Sequence, residues 1–228
     1  EQFRQAFFAP IPRLVCPRVS ATLLHQAPHI WRIDNFVTES QMKRLENAIP
    51  ATKKFKASYC EDGQGSRFLS ENRTSTFHGF SKSQNRILVE LERKAAEVTG
   101  LPLDNVEAAQ VVRYAPGQSF GLHHDAGTIT DEVNGHVEFP SPCMTVRLAT
   151  VFVYLNDVPS GSGGCTVFPR LGNLSVTPQR GSALLFANVT ENGQPETMTV
   201  HEAEALLNGH TKMGMNLWLT DRSATTGK

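Results

Sequence analysis

The sequence is short of several things that would assign a class at once. No CxxC or CxxH spacing joins its four cysteines (Cys16, Cys60, Cys143 and Cys165), which argues against a zinc ribbon. It has no net charge, because 22 Lys and Arg balance 22 Asp and Glu. A basic footprint for nucleic acid or an anionic membrane surface is therefore missing. No apolar run is long enough to span a bilayer. There is no internal repeat, low-complexity tract or linker, so the 228 residues read as one domain with a sizeable core. Neither a Ser/His/Asp constellation nor a paired-carboxylate signature is present, which fits chemistry that requires no side-chain general base.

What is present begins with minor signals. Cys165 lies in an apolar run and reads as a buried thiol, while the pairing of the other cysteines stays open. Three N-x-S/T sequons, at Asn72, Asn173 and Asn188, lean weakly toward the endoplasmic reticulum lumen and secretory route, with a cytoplasmic location the alternative. The chain opens on Glu1 rather than Met, as expected where a targeting or anchor segment has been removed by processing or truncation.

The layout comes from periodicity. Residues 30–36 read as a short strand, and "TESQ" at 38–41 has the form of a capping box, with Thr38 as N-cap and Gln41 at N3. Met42, Leu45 and Ile49 give the helix that follows one apolar face, and Pro50 ends it. A second helix is expected over 81–98, closed by Gly100. Residues 56–76 between them read as irregular. From Pro102 onward, eight short β-rich runs (108–114, 119–125, 145–155, 165–168, 174–177, 182–187, 198–201 and 211–219) alternate with turn residues. That spacing predicts an antiparallel sandwich or barrel. The expected organisation is an N-terminal extension (1–29), one domain (30–222) with its helical part at about 38–100 and its β core at about 104–220, and a tail (223–228).

The segment "GQSFGLHHDAG" (117–127) carries the chemistry. His is a common metal ligand and Asp a good hard one. In an extended strand, residues i and i+2 share a face, so His123 and Asp125 project together and His124 points away. A third ligand must come from a neighbouring strand, and His201, after the short run "MTV", is the best candidate. Two His and one carboxylate with open positions opposite is the donor set of non-haem Fe(II) oxygenases.

Several ordered motifs then agree. "WRIDNFVTESQMKRLE", "NRTSTF", "VEAAQVVRYAPGQSFGLHHD", "RLATVFVYLNDVPSGSGGCTVFP", "VTPQRGSALLF" and "NGHTKMGMNLW" follow one another over roughly residues 30–220. Together they resemble the prolyl 4-hydroxylase family of Fe(II)- and 2-oxoglutarate-dependent dioxygenases. The resemblance implies an α+β fold, with a double-stranded β-helix (jelly-roll) core and helices packed outside it. It implies Fe(II) on His123, Asp125 and His201, with 2-oxoglutarate and O2 as cosubstrates and ascorbate as reductant. It further implies that Lys212, Tyr114 and Thr166 receive the distal carboxylate of 2-oxoglutarate, with Tyr154 an additional candidate.

Physics supports a cation there, since a dianion buried without a paired charge is very costly. Arg180 is the alternative cation. The family's Gly-x-Lys is one residue longer here (Gly209-His210-Thr211-Lys212), and the extra residue is assigned to the turn. On the substrate side the resemblance implies Arg147 and Trp218 at the mouth. Phe120 stands where the peptide hydroxylases often carry a Tyr, and the loop 126–144 is longer than in compact members.

The function implied is hydroxylation of peptidyl proline to 4-hydroxyproline, with succinate and CO2 as coproducts. The alternatives are the same chemistry on another peptide residue, or on a small amine or amino acid, which Phe120 favours, and a jelly-roll peptide-binding module without activity. Neither nucleic acid nor a membrane span is expected among the partners, and the oligomeric state is left open.

Overall fold

The structure is a computed structural model and describes residues 2–9, 20–61, 67–131, 135–141 and 144–224. Cys16, Cys143 and the end of the expected tail lie outside the described residues, so the cysteine-pairing question is not met there. In chain order the elements are α1 (Gln2–Phe7), β1 (Ser20–Gln26), β2 (His29–Asp34), α2 (Glu39–Ala48), β3 (Lys56–Ala57), β4 (Cys60–Glu61), β5 (Arg67–Phe68), β6 (Thr76–Gly79), α3 (Arg86–Thr99), β7 (Gln110–Tyr114), β8 (Phe120–His123), β9 (Thr128–Asp131), β10 (His136–Glu138), β11 (Arg147–Tyr154), β12 (Thr166–Phe168), β13 (Leu174–Val176), β14 (Ala183–Ala187), β15 (His201–Ala203) and β16 (Lys212–Thr220).

An eight-stranded sheet runs β1-β2-β14-β11-β16-β7-β6-β3, and a four-stranded sheet runs β13-β12-β15-β8. The pairings within both are antiparallel. The two sheets face each other across two apolar clusters. Ile30, Tyr154, Leu184 and Phe186 of the large sheet meet Phe168 and Val176 of the small one. Val112, Tyr114 and Phe152 meet Phe120 and Ala203. This is the antiparallel sandwich that the strand spacing predicts, in the double-stranded β-helix form that the resemblance implies.

Strand periodicity divides the large sheet into two faces. On β11, Ala149, Val151 and Val153 turn toward α2 and α3, as do Met215, Leu217 and Leu219 of β16. These residues pack with Leu45, Leu88, Leu91 and Ala95 of the helices, which places the helices outside the barrel. The alternate residues Thr150 and Phe152 of β11, and Lys212, Asn216 and Trp218 of β16, line the space between the sheets. Gly214 is needed in that row. A Cβ there would come within 2.2 Å of the Phe152 ring.

Both helices start where a side chain captures a free backbone N–H. Thr38 and Gln41 form the reciprocal capping box on α2. The second helix begins at Arg86 rather than 81, because the Asn85 side chain accepts from Leu88 N at 3.1 Å and makes Asn85 the N-cap. Gly100, at φ 70°, closes it in the left-handed region.

Three other segments differ from expectation. The described residues of the expected extension join the domain: β1 pairs along β2, and Ala6 and Phe7 sit in the main core. Ala6 O accepts from both His29 Nδ1 and Trp31 Nε1, which ties α1 to β2. Within the long loop 126–144, β9 and β10 pair as a hairpin, and Arg170 Nη1 donates to Gly135 O at its turn. The run expected at 198–201 is a 3-10 turn over Thr197–Thr199, and strand β15 starts at His201 instead. The cause is again a cap, Met198 N donating to Glu196 Oε1. Cys165 is half-buried rather than buried, a free thiol 3.7 Å from Thr177 Oγ1.

Candidate active site

A cavity of about 1010 Å³ opens between the two sheets. His123 ends β8, and His201 begins β15 directly opposite it across the ladder, with ring centroids 4.2 Å apart. Each ring nitrogen Nδ1 lies on a backbone carbonyl two residues upstream, His123 on Gly121 O at 2.8 Å and His201 on Thr199 O at 2.9 Å. A carbonyl only accepts, so both Nδ1 atoms carry a proton, and Nε2 is the nitrogen that each ring turns toward the cavity. Asp125 follows immediately. Its Oδ1 is 3.8 Å from His123 Nε2 and its Oδ2 3.9 Å from His201 Nε2. Those gaps are too long for hydrogen bonds. The three side chains face one point with no hydrogen bond between them, and all ligand atoms lie within 4.8 Å of one another.

Protonation states suit a cation. Burial, followed by the charge of His201, holds His123 well below its ordinary range, so the ring is neutral at pH 7. Burial opposes ionisation of Asp125. The two histidines and a 2.6 Å hydrogen bond from Thr150 Oγ1 outweigh it, and the carboxyl lies below its usual range. Neutral imidazoles and an ionised carboxylate are the forms that bind metal. His124 is outside the set. Its Nδ1 accepts from Ala126 N, and burial lowers its pKa to about 4. β8 stops at His123, so strand alternation alone does not place Asp125. The isolated bridge between His124 and Gly127 turns the chain there.

Deeper in the cavity is Lys212, paired with Tyr114 across β16 and β7. It is 1% exposed, and its Nζ has no hydrogen-bond partner. The rings of Tyr114, Phe152 and Tyr154 surround it at 5.4, 5.5 and 5.7 Å. Burial pushes its pKa down to about 7. Thr166 lines the cavity too, and its Oγ1 accepts from Tyr154 OH at 2.9 Å. That leaves the Thr166 proton free to face the cavity, while Tyr154 sits behind it, fully buried. Arg180, the alternative cation, lies elsewhere and pairs with Glu39 and Glu46 of α2.

At the mouth, the Arg147 guanidinium stacks 3.6 Å from the Trp218 ring centroid and grips Glu107 with two bonds of 2.8 and 3.0 Å. Trp218 is 7% exposed and its Nε1 is unpartnered. Phe120 stacks on the His123 ring at 3.6 Å and 9°, and Arg73 lies over the Phe120 ring at 4.4 Å. Sequence reasoning gave Thr150, Glu107 and Arg73 no role, and read Asn188 only as a sequon. Thr150 was findable, because it shares the inward face with Phe152 and Tyr154 at a spacing of two.

A buried cation without a hydrogen-bond partner, in one cavity with a His, Asp and His cluster, is an arrangement that fits a 2OG-Fe(II) oxygenase. The model of the 2OG-Fe(II) oxygenase superfamily matches residues 109–220. Probable prolyl 4-hydroxylase 4 of Arabidopsis thaliana is 29% identical over 216 residues, covering 84% of this chain and 67% of the relative. Prolyl 4-hydroxylase subunit alpha-1 of Gallus gallus is 26% identical over 211 residues, covering 92% of this chain and 39% of that subunit. Among solved structures, the viral collagen prolyl hydroxylase of Paramecium Bursaria Chlorella virus-1, in its 2OG complex, superposes with a TM-score of 0.62 at 26% identity, covering 84% of this chain and 95% of that one. These likenesses support a place for the chain in the prolyl 4-hydroxylase family of Fe(II)- and 2-oxoglutarate-dependent dioxygenases. The chain spans about two thirds of the length of its plant relatives.

Proposed function

We propose that this chain hydroxylates proline within a peptide, giving 4-hydroxyproline with succinate and CO2, and that ascorbate maintains its metal as Fe(II). The observation that carries this is Lys212: a buried, unpartnered ammonium in the same cavity as three metal-ready ligands. An unpaired buried cation is costly, so its retention fits an anionic ligand that completes it. The names of the relatives support proline as the substrate residue.

In this reading His123, Asp125 and His201 hold Fe(II). Lys212 and the Thr166 hydroxyl hold the distal carboxylate of 2-oxoglutarate, with Tyr154 orienting Thr166 and the Tyr114 ring bounding the Lys212 site. Iron with 2-oxoglutarate and O2 supplies the oxidation of an unactivated C–H bond. The chain fixes geometry around it. The carbonyls of Gly121 and Thr199 set both imidazole tautomers, and the Thr150 hydroxyl holds Asp125. Phe152 and Phe186 give the cavity an apolar wall. The peptide crosses the mouth along Arg147 and Trp218, where Glu107 already neutralises the guanidinium. Phe120 supports the His123 ring from the substrate side.

The test is mass spectrometry of a panel of proline peptides incubated with the protein, Fe(II), 2-oxoglutarate and ascorbate. A gain of one oxygen on proline is expected. No gain on any peptide, with oxygen added instead to a free amino acid or small amine, would replace the peptide reading with the small-molecule one.

A further inference from the structure

We infer that Asn188 is a positioning residue for the metal-binding carboxylate, acting through Thr150; this rests on the assignment of Asp125 as a metal ligand. Asn188 follows the last residue of β14 and is fully buried. Its backbone is already satisfied, with N donating to Leu148 O and O accepting from Glu196 N, both at 2.9 Å. The side chain is therefore free for another purpose. Among the described residues it bonds to Thr150: Nδ2 donates to Thr150 Oγ1 at 3.0 Å, and Oδ1 lies 3.5 Å from the same atom. Thr150 Oγ1 is 2.6 Å from Asp125 Oδ2.

A hydroxyl has one proton and two acceptor sites. An amide N–H arriving at Oγ1 occupies an acceptor site, so the Thr150 proton is committed to Asp125. The bond it makes there is short, as expected for a charged acceptor. Polarisation along the chain strengthens it. The result is a three-member relay, Asn188 to Thr150 to Asp125, which caps Oδ2 and stops the carboxylate from rotating. Oδ1, the oxygen nearer His123 Nε2, is left without this bond and presented to the common point of the triad. Such supporting bonds commonly govern metal affinity by factors of about 10 to 100. The same burial means that the Asn188 sequon is closed to modification in the folded chain.

The relay is tested with Co(II) alone, by calorimetric titration of the full chain and by its visible d–d absorption. The wild type should bind one Co(II), and His123→Ala should lose it. Thr150→Val should weaken binding about 10- to 100-fold and alter the d–d band, while Thr150→Ser, which keeps the hydroxyl, stays within about threefold. Asn188→Leu should weaken binding by about three- to tenfold. In the Thr150→Val background the same change should shift affinity by less than about twofold, because a residue acting through another loses its effect when that other is gone. Asn188→Ala replaces Asn188→Leu if the metal-free melt shows the latter unfolded. Additive penalties, or wild-type affinity in the Asn188 variant, would overturn the relay and leave the metal site standing. Failure of the wild type to bind Co(II), or binding undiminished by His123→Ala, would overturn the metal assignment and the relay with it.

Discussion

With Lys212 as the proposed partner of the distal carboxylate, 2-oxoglutarate binding becomes a proton-coupled event. Burial lowers its pKa from 10.5 to about 7 in the ligand-free protein. A carboxylate placed against it favours the charged form, so the pKa in the complex returns upward. Between the two values, binding takes up one proton. Because only the protonated fraction is competent, the apparent Kd scales as one plus ten to the power of pH minus pKa. Going from pH 6 to pH 8 therefore weakens binding about tenfold, and from pH 7 to pH 9 about fiftyfold. The same shift bears on stability, with the opposite sign from the usual salt-bridged lysine. The unfolded chain binds the proton more tightly, so ligand-free stability rises with pH from about 7 to about 10.5, and the charged form costs on the order of 5 kcal/mol below that window.

The assay is calorimetry of the Mn(II)-loaded protein with 2-oxoglutarate, in buffers of different ionisation enthalpy. Near-stoichiometric proton uptake at pH 8 is expected. Lys212→Met should abolish both the uptake and this pH dependence, raise Kd by some 30-fold or more, and raise the melting temperature of the ligand-free protein at pH 6. Affinity in the wild type that is flat from pH 6 to 9, or retained in Lys212→Met, would refute the assignment of Lys212 as the carboxylate's partner.

Other consequences are as direct. His123→Ala, Asp125→Ala and His201→Ala should each abolish turnover and Co(II) binding, whereas His124→Ala, outside the triad, should retain substantial activity; the reverse pattern in a turnover assay would shift the site by one residue. Arg147→Ala removes the stacking on Trp218 and strands Glu107. It should raise the KM for a peptide more than tenfold while leaving peptide-free conversion of 2-oxoglutarate to succinate within about threefold. Phe120→Leu should weaken Co(II) binding several-fold by freeing the His123 ring, and Phe120→Tyr, which keeps the stack, should not; calorimetry separates the two.

Most of the fold was legible because its signals are local. The capping box at Thr38, Gly100 as a helix stop and the turn residues between short strands each act within a few positions. His123, Asp125 and His201 were legible as candidates for a different reason: the i, i+2 spacing paired the first two, and the short run before His201, with the ordered motifs, brought in the third. What escaped depends on neighbours distant in sequence. Thr150 and Asn188 meet only because β11 and β14 pair with Thr150 opposite Phe186. The start of the second helix moved by five residues because Asn85 outcompeted the apolar period. β1 and α1 carry weak periodicity and are defined by the sheet edge and core they join. Phe120 read as a substrate contact from its place in the motif, and only the fold reveals the ring stacked beneath it.

Strand β16 serves two masters at alternate positions: Met215, Leu217 and Leu219 belong to the helical core, and Lys212, Asn216 and Trp218 to the cavity. Its tolerance of length change must therefore be abrupt along a few residues. The preceding turn, where Asn208 and Gly209 take positive φ (54° and 73°), absorbs the additional residue that separates Gly209 from Lys212. One more residue there lengthens an exposed loop at an entropic cost below about 1 kcal/mol. A single residue inserted after Met215 would instead exchange the two faces from that point on, sending Leu217 and Leu219 toward the cavity and Asn216 and Trp218 into the helices. Length variants of this chain should accordingly accumulate at 207–211 and be absent from 213–219, and the boundary between the two regimes is the first hydrogen bond of the β16 ladder.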